Sequence, residues 1–300
     1  MSEQKWVRSS LRHLSEALKA KGHPACPMTV GRLLEQMGYS LKANVKRLAG
    51  THHPDRNTQF EYIAQQTQFF LSQGWPIVSV DAKKKELVGN FKQAGQGWCQ
   101  EAEAVNDHDF ETDAFGKAVP YGLYDVNHHW GYVYVGQSAD TAEFAVDVIV
   151  QWWTTFGRPA FPNAPSLLIL CDGGGSNSWR SRLWKAQLQT QLADRLGLTV
   201  MVCHYPTGAS KWNPVEHRLF GPISVNWAGK PLRTFETVLA CIRGTTTQTG
   251  LKVVAVLVER AYERGIKIAD EVMHNLNLER HATCPNWNYT IRPRSVSVCT

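Results

Sequence analysis

A chain of 300 residues with 43% apolar and 19% charged residues has length for two domains and is too apolar to be disordered. No apolar run approaches a membrane span and no signal peptide is visible, so the expectation is a cytoplasmic protein, not an integral membrane or secreted one. The net charge of +6 is concentrated: residues 1–50 hold nine Lys/Arg against three Glu, the whole excess of the chain, as in a nucleic-acid-binding attachment or a solvated helix pair.

Residues 9–50 read as helical. Leu11, Leu14 and Leu18 recur at helical spacing, and Gly22-His23-Pro24 breaks the pattern. A second helix is expected from Thr29 as N-cap, carrying Val30, Leu33, Leu34 and Met37 and closed by Gly38. Two short helices across a Gly/Pro turn fit a helix-turn-helix-like segment over 1–50, with Arg32 on an exposed face and Lys42, Lys46 and Arg47 following. A connecting helix is expected at 58–72, within a linker of 51–74.

From 75 the texture alternates. Strands are expected at 76–81, 119–125, 130–136, 166–171 and 198–205, and helices at about 141–156 and 177–196. Three antiparallel strands followed by α/β units is the order of a ribonuclease H-like mixed sheet flanked by helices, an α/β fold preceded here by the small all-α segment. That domain is placed at 75–229, with a long irregular insertion at 85–118. Residues 230–300 are expected as a C-terminal helical extension: a helix near 234–243, an apolar segment at 251–258 and a tail of little periodicity. Seven cysteines (26, 99, 171, 203, 241, 284, 299) show no C-x-x-C pair and read as reduced thiols, and a zinc site is not expected despite eleven histidines.

Three acidic residues stand out. Asp81 ends the apolar run 75–80, Asp172 ends the run 167–171, and Glu216 opens a helix after Lys211-Trp212-Asn213-Pro214. Carboxylates at the C-terminal ends of two buried strands and on a helix start can converge into a hard, oxygen-lined site suited to Mg²⁺ or Mn²⁺. Each has a plainer reading. Asp81 can start a turn. Asp172 leads into Gly173-Gly174-Gly175, which also resembles the phosphate loop of actin-like sugar kinases. Asn213, Pro214 and Glu216 form a capping-box pattern. Lys211, His217, Arg218 and His204 give Glu216 a basic surround that a capping box alone does not predict. His52-His53 and His128-His129 read as structural or surface residues.

The blocks 78–91 (Val78-Ser79-Val80-Asp81-Ala82-Lys83-Lys84-Lys85 onward), 172–177 and 210–220 closely resemble the Rhodopirellula-type DDE transposases, bacterial insertion-sequence enzymes with a ribonuclease H-like core. The resemblance extends through 140–145, 245–253 and 287–291 and covers nearly the whole chain from about Arg12. It implies that Asp81, Asp172 and Glu216 are the catalytic acidic triad and hold two Mg²⁺ or Mn²⁺ ions. It implies cleavage at element ends, transfer of the 3′-OH into target DNA, DNA as partner, and a homodimer acting in the bacterial nucleoid, with no membrane and no small-molecule substrate. Family members generally carry more DNA-binding sequence upstream, so a shortened copy is expected. The rival readings are a non-catalytic remnant that represses by occupying element ends, and a nuclease that cuts without joining. Phosphate contacts are assigned to Lys83, Lys84, Arg180, Arg182, Lys211 and Arg218. Trp212 is read as a core residue, ahead of stacking on a splayed base.

Overall fold

The computed structural model of the chain describes residues 9–41, 53–209 and 212–294. The chain divides into two compact units, 1–49 and 50–300.

In the first unit, α1 (Leu11–Ala20) and α2 (Pro27–Gln36) form a helical pair. Ser10 caps α1 by accepting from the His13 N–H at 3.2 Å. Gly22, at φ 82°, ends it in a left-handed turn in which the Gly22 and His23 N–H groups donate to the Lys19 and Leu18 carbonyls. Gly38 closes α2 in the same way, as its position predicts. The second helix starts two residues before the expected Thr29 cap, because Pro27 occupies the first helical turn, where its missing N–H is no loss. Arg32 is exposed on α2. Lys42, Lys46 and Arg47 lie outside the described residues.

The second unit opens with α3 (Arg56–Ser72), followed by the central strand β1 (Ile77–Ala82). Then come β2 (Glu86–Val88), β3 (Gly116–Asp125) and β4 (Trp130–Gly136). Next, α4 (Ala142–Trp152) runs through a π-helical turn into the short α5 (Arg158–Ala160). Strand β5 (Ser166–Cys171), α6 (Arg182–Gln187) with a π-helical continuation to Asp194, and β6 (Thr199–His204) complete the α/β part. A π-helical turn, Glu216–Phe220, leads into α7 (Gly221–Asn226) and then α8 (Phe235–Arg243). The chain continues through β7 (Lys252–Val258), α9 (Asp270–His274), β8 (Leu278–Arg280) and β9 (Asn288–Ile291).

The strands form one sheet in the order β7-β4-β3-β1-β5-β6-β9-β8, with β2 beside β3. Its middle, β4-β3-β1-β5-β6, has β3 antiparallel to both β4 and β1, with β5 and β6 parallel to β1. This is the ribonuclease H-like arrangement. The expected helical extension is corrected: β7 pairs parallel with β4, and β9 pairs antiparallel with β6, so residues past 230 widen the sheet at both edges. The run Lys252-Val253-Val254-Ala255-Val256-Leu257-Val258 is continuously apolar after its first residue, and such a run does not by itself distinguish strand from helix. The insertion also carries more order than expected, since β2 docks on β3 and the Gly89 N–H bonds the Leu232 carbonyl at 2.9 Å.

Both faces of the sheet are covered. Val78, Val80, Leu167, Ile169 and Cys171 face α4 and α6 in one core. Ile77, Leu168 and Leu170 face α3 on the other side, and Val133, Val135 and Tyr124 pack there against Leu219, Phe220 and α8. Alternation therefore sends Ser79 and Asp81 to the second face along with Ile77. The register pairs Ile77 with Leu168 and Ser79 with Leu170, so the next step along the same face sets Asp81 beside Asp172.

Candidate active site

Asp81 sits on the central strand, only 9% exposed, and its Oδ1 accepts from the Ala82 N–H at 2.7 Å. Asp172 follows the last residue of β5, and its Oδ1 accepts from the Gly174 N–H at 3.2 Å. Glu216 starts the π-helical turn that crosses the same face and is hydrogen-bonded to Asp81. The three residues picked out in the sequence thus meet at the carboxyl ends of β1 and β5.

The turn carrying Glu216 is pinned to β1 by a buried clamp. The Ser79 hydroxyl donates to Asn213 Oδ1 and accepts from the Val215 N–H at 2.9 Å. Asn213 Nδ2 donates to the Val80 carbonyl at 3.2 Å. Both side chains are fully buried. Asn213 was expected to cap the helix with its side chain; its carbonyl does accept from the Glu216 N–H at 3.0 Å, but the side chain reaches the strand instead. Ser79 takes the capping role, from far away in sequence. Close approach of the turn also needs Gly122, the partner of Asp81 on β3: a Cβ there would lie 2.5 Å from the Phe220 ring.

Asp172 is held by its backbone. His204 on β6 is fully buried and donates from Nδ1 to the Asp172 carbonyl at 2.9 Å. Burial pulls its pKa down to about 4, so the ring is neutral at pH 7. Tyr289 OH completes the network, 3.3 Å from His204 Nε2 and accepting from Trp184 Nε1 at 2.9 Å. His204 is therefore a support for Asp172, and the expected basic surround of Glu216 loses this member.

The electrostatics of the carboxylates are strongly perturbed. Burial, then the Asp172 charge, then the hydrogen bond and charge of Glu216 push Asp81 up to about 9. Asp172 is also pushed up, first by burial; the Gly174 N–H opposes this, and the charges of Glu216 and Asp140 add to it. Three carboxylates this close cannot all ionise unless a cation joins them. Asp140, in the loop before α4, escaped the sequence reading as a site residue. Its Oδ1 is buried with no hydrogen-bond partner, and its charge acts on Asp172. Among the described residues no group of three or more His, Cys, Asp or Glu side chains is placed to hold a metal ion as it stands, so the three carboxylates would have to draw together around one.

The expected phosphate contacts divide. Lys84, Arg180 and Arg218 are exposed. Lys83 is instead turned inward, paired with Glu86 at 3.6 Å and 4.6 Å from the Trp227 ring centroid. Arg182 is engaged by Asp270 at 2.5 Å and by the Ile268 carbonyl at 3.2 Å. Long basic side chains in the domain here find nearby acidic or aromatic partners, and Arg182 stays exposed beside its own. Lys211 lies outside the described residues. Trp212, expected in the core, is 54% exposed and meets Phe60 edge-on. His128 pairs with Asp125 and His129 with Tyr124 in the β3–β4 turn, both structural as expected; His52 is outside the described residues. The six described cysteines are free thiols. No described helix is long and apolar enough to cross a membrane.

Comparison with curated proteins gives no match. Among solved structures, the chain is similar to the Mos1 transposase paired-end complex with left transposon end, at 14% identity over 77% of this chain and 64% of that one, with a TM-score of 0.45. It is similar to the Mos1 mariner paired end complex with Mn at 15% identity over 77% and 64%, TM-score 0.44. The Mos1 paired end complex with Mg gives 15% over 79% and 71%, TM-score 0.44. The chain thus spans 64% of the length of the first of these proteins. A family model, the Rhodopirellula transposase DDE domain, matches residues 1–293, essentially the whole chain, and the chain belongs to that family.

Proposed function

We propose that this protein is a DDE transposase that cuts DNA at the ends of an insertion sequence and joins the freed 3′-OH to target DNA. The observation that carries the reading is the meeting of Asp81, Asp172 and Glu216, with Asp81 driven up to about 9 by burial and by its carboxylate neighbours. The donor set fits Mg²⁺ or Mn²⁺: it is all oxygen, and the unpartnered Asp140 Oδ1 stands beside it as a further oxygen. Asp81, Asp172 and Glu216 would hold two such ions. When bound, the ions activate the attacking oxygen and stabilise the leaving 3′-oxygen.

The chain's own residues supply the geometry. Asp81, its pKa raised by burial and by its carboxylate neighbours, would have to lose its proton to serve as a ligand. His204 and the Gly174 N–H orient Asp172 from behind. The Ser79–Asn213 clamp fixes where Glu216 can reach. Gly173 and Gly174 leave room for a backbone phosphate to approach, and Lys84 and Arg218 stand exposed for the flanking phosphates. DNA is the partner, a homodimer the working form, and the bacterial cytoplasm with its nucleoid the location.

The test is incubation with an oligonucleotide carrying an element end and Mg²⁺, scoring nicked and joined products. Both products are expected, and both should vanish with EDTA. Nicks without joining would reduce the protein to a nuclease. End binding with no product in either Mg²⁺ or Mn²⁺ would leave only an end-occupying repressor.

A further inference from the structure

Against Trp179, the neighbour of Gly173 in the glycine loop after Asp172, lies a cavity of about 330 Å³. That volume is at the small end of the ~300–1,000 Å³ typical of ligand pockets, a size for one nucleotide and little more. Its walls are flat. On one side the Arg180 guanidinium lies 4.7 Å from the Trp179 ring centroid, so a charged plane and an indole are presented together. On the other, His53 and Trp287 rings stand 4.7 Å apart. Asn286 and Thr207 add polar edges, and the Asp55 carboxylate lines the pocket 3.6 Å from His53 Nδ1.

The pocket is tied by hydrogen bonds to the residues that hold Asp172. A Cβ on Gly173, the residue after Asp172, would meet Trp179 at 3.3 Å. The Trp287 carbonyl accepts from the N–H of His204, the same histidine that holds the Asp172 carbonyl. Lys185 Nζ donates to the Trp179 carbonyl at 2.7 Å and fixes the loop from beneath. Arg280 holds the opposite rim through the Pro285 carbonyl and Asn286 Oδ1, at 3.0 and 3.1 Å. Cys284 adopts φ 47° in that rim, a left-handed backbone unusual for a residue with a side chain and kept only where surroundings enforce it.

Aromatic and guanidinium planes in a slot of this size, with the Arg180 cation set against the single Asp55 carboxylate, suit a stacked nucleobase with its phosphate turned toward Arg180. We infer that this pocket takes one unpaired nucleotide of the DNA strand held at Asp172, drawn out of the duplex next to the scissile bond. The inference rests on the reading of the site as a DNA-processing centre. It assigns Trp179, Arg180 and Trp287 to strand positioning, apart from the metal ligands.

The test uses the full chain in Ca²⁺ and two probes: a single-stranded oligothymidylate with one central 2-aminopurine, and its fully paired duplex. Wild type should quench the 2-aminopurine on binding the single strand. Trp179→Ala and Arg180→Ala should each weaken single-strand binding about fivefold or more and remove the quenching, while duplex binding changes less than about twofold. Trp179→Phe should restore most of the affinity. Unchanged single-strand binding in Arg180→Ala and Trp179→Ala, or equal loss for both probes, would overturn the pocket. Should Trp179→Ala not fold, the exposed Arg180 variant and Trp179→Phe decide the matter. Asp172→Ala separates the two ideas: it should quench as wild type does, and if it still cleaves DNA in Mg²⁺ the functional reading fails while the pocket stands.

Discussion

Asp172→Ala is expected to lose cleavage and joining together, by about a thousandfold or more, while binding duplex DNA with unchanged affinity. The substitution would remove one ligand and leave the sheet intact, because the side chain follows the end of β5 and its one hydrogen bond is from the Gly174 N–H. Its charge also presses on Asp81 in the buried site. Without metal, the variant should therefore be more stable than wild type, by about 1 kcal/mol, as is common when an active-site charge cluster is relieved. A gain in thermal midpoint in EDTA, combined with loss of both reactions, is the signature of a ligand role. Full strand transfer by this variant would refute the assignment.

The second large effect is expected at Asn213, which touches no substrate. Asn213→Ala takes the acceptor from the Ser79 O–H, which keeps only the Val215 N–H, and removes the donor that meets the Val80 carbonyl, in a fully buried place. Buried groups left without partners cost about 1–3 kcal/mol each, so a loss of about 2–4 kcal/mol is expected. The activity loss should exceed what the stability loss explains. With the clamp gone, the start of the π-helical turn shifts, and a misplacement of about 1 Å at a reacting centre costs roughly a hundredfold. Single-turnover cleavage well below the melting temperature measures this separately from folding. A folded Asn213→Ala protein cutting at the wild-type rate would show that Glu216 is positioned by something other than the clamp.

The sequence is legible where one local pattern is enough. Asp81 and Asp172 close apolar runs whose length and texture mark buried strands, and alternation along those strands puts both on one face. The glycines at 22 and 38 end their helices where they stand, because a left-handed turn there needs no further context. What stays hidden depends on residues distant in the chain. Asn213 satisfies a local capping pattern, yet its side chain bonds Ser79, 134 residues away. Ser79 looks like an ordinary strand residue until the turn is laid on it. The basic surround drawn for Glu216 fails at His204 because burial, invisible in a list of residue types, makes that ring neutral. Strand β9 is four residues long and pairs with β6 only after the chain has wrapped the sheet, so no periodicity could announce it.

The most direct test of the central claim is a crystal structure of the protein soaked in Mn²⁺, read by anomalous scattering. The account predicts metal peaks bounded by Asp81, Asp172 and Glu216, with carboxylate oxygens at about 2.0–2.3 Å, and no such peaks in Asp172→Ala. Mn²⁺ bound elsewhere with none at these carboxylates, or Glu216 turned away from a metal that the two aspartates hold, would contradict it.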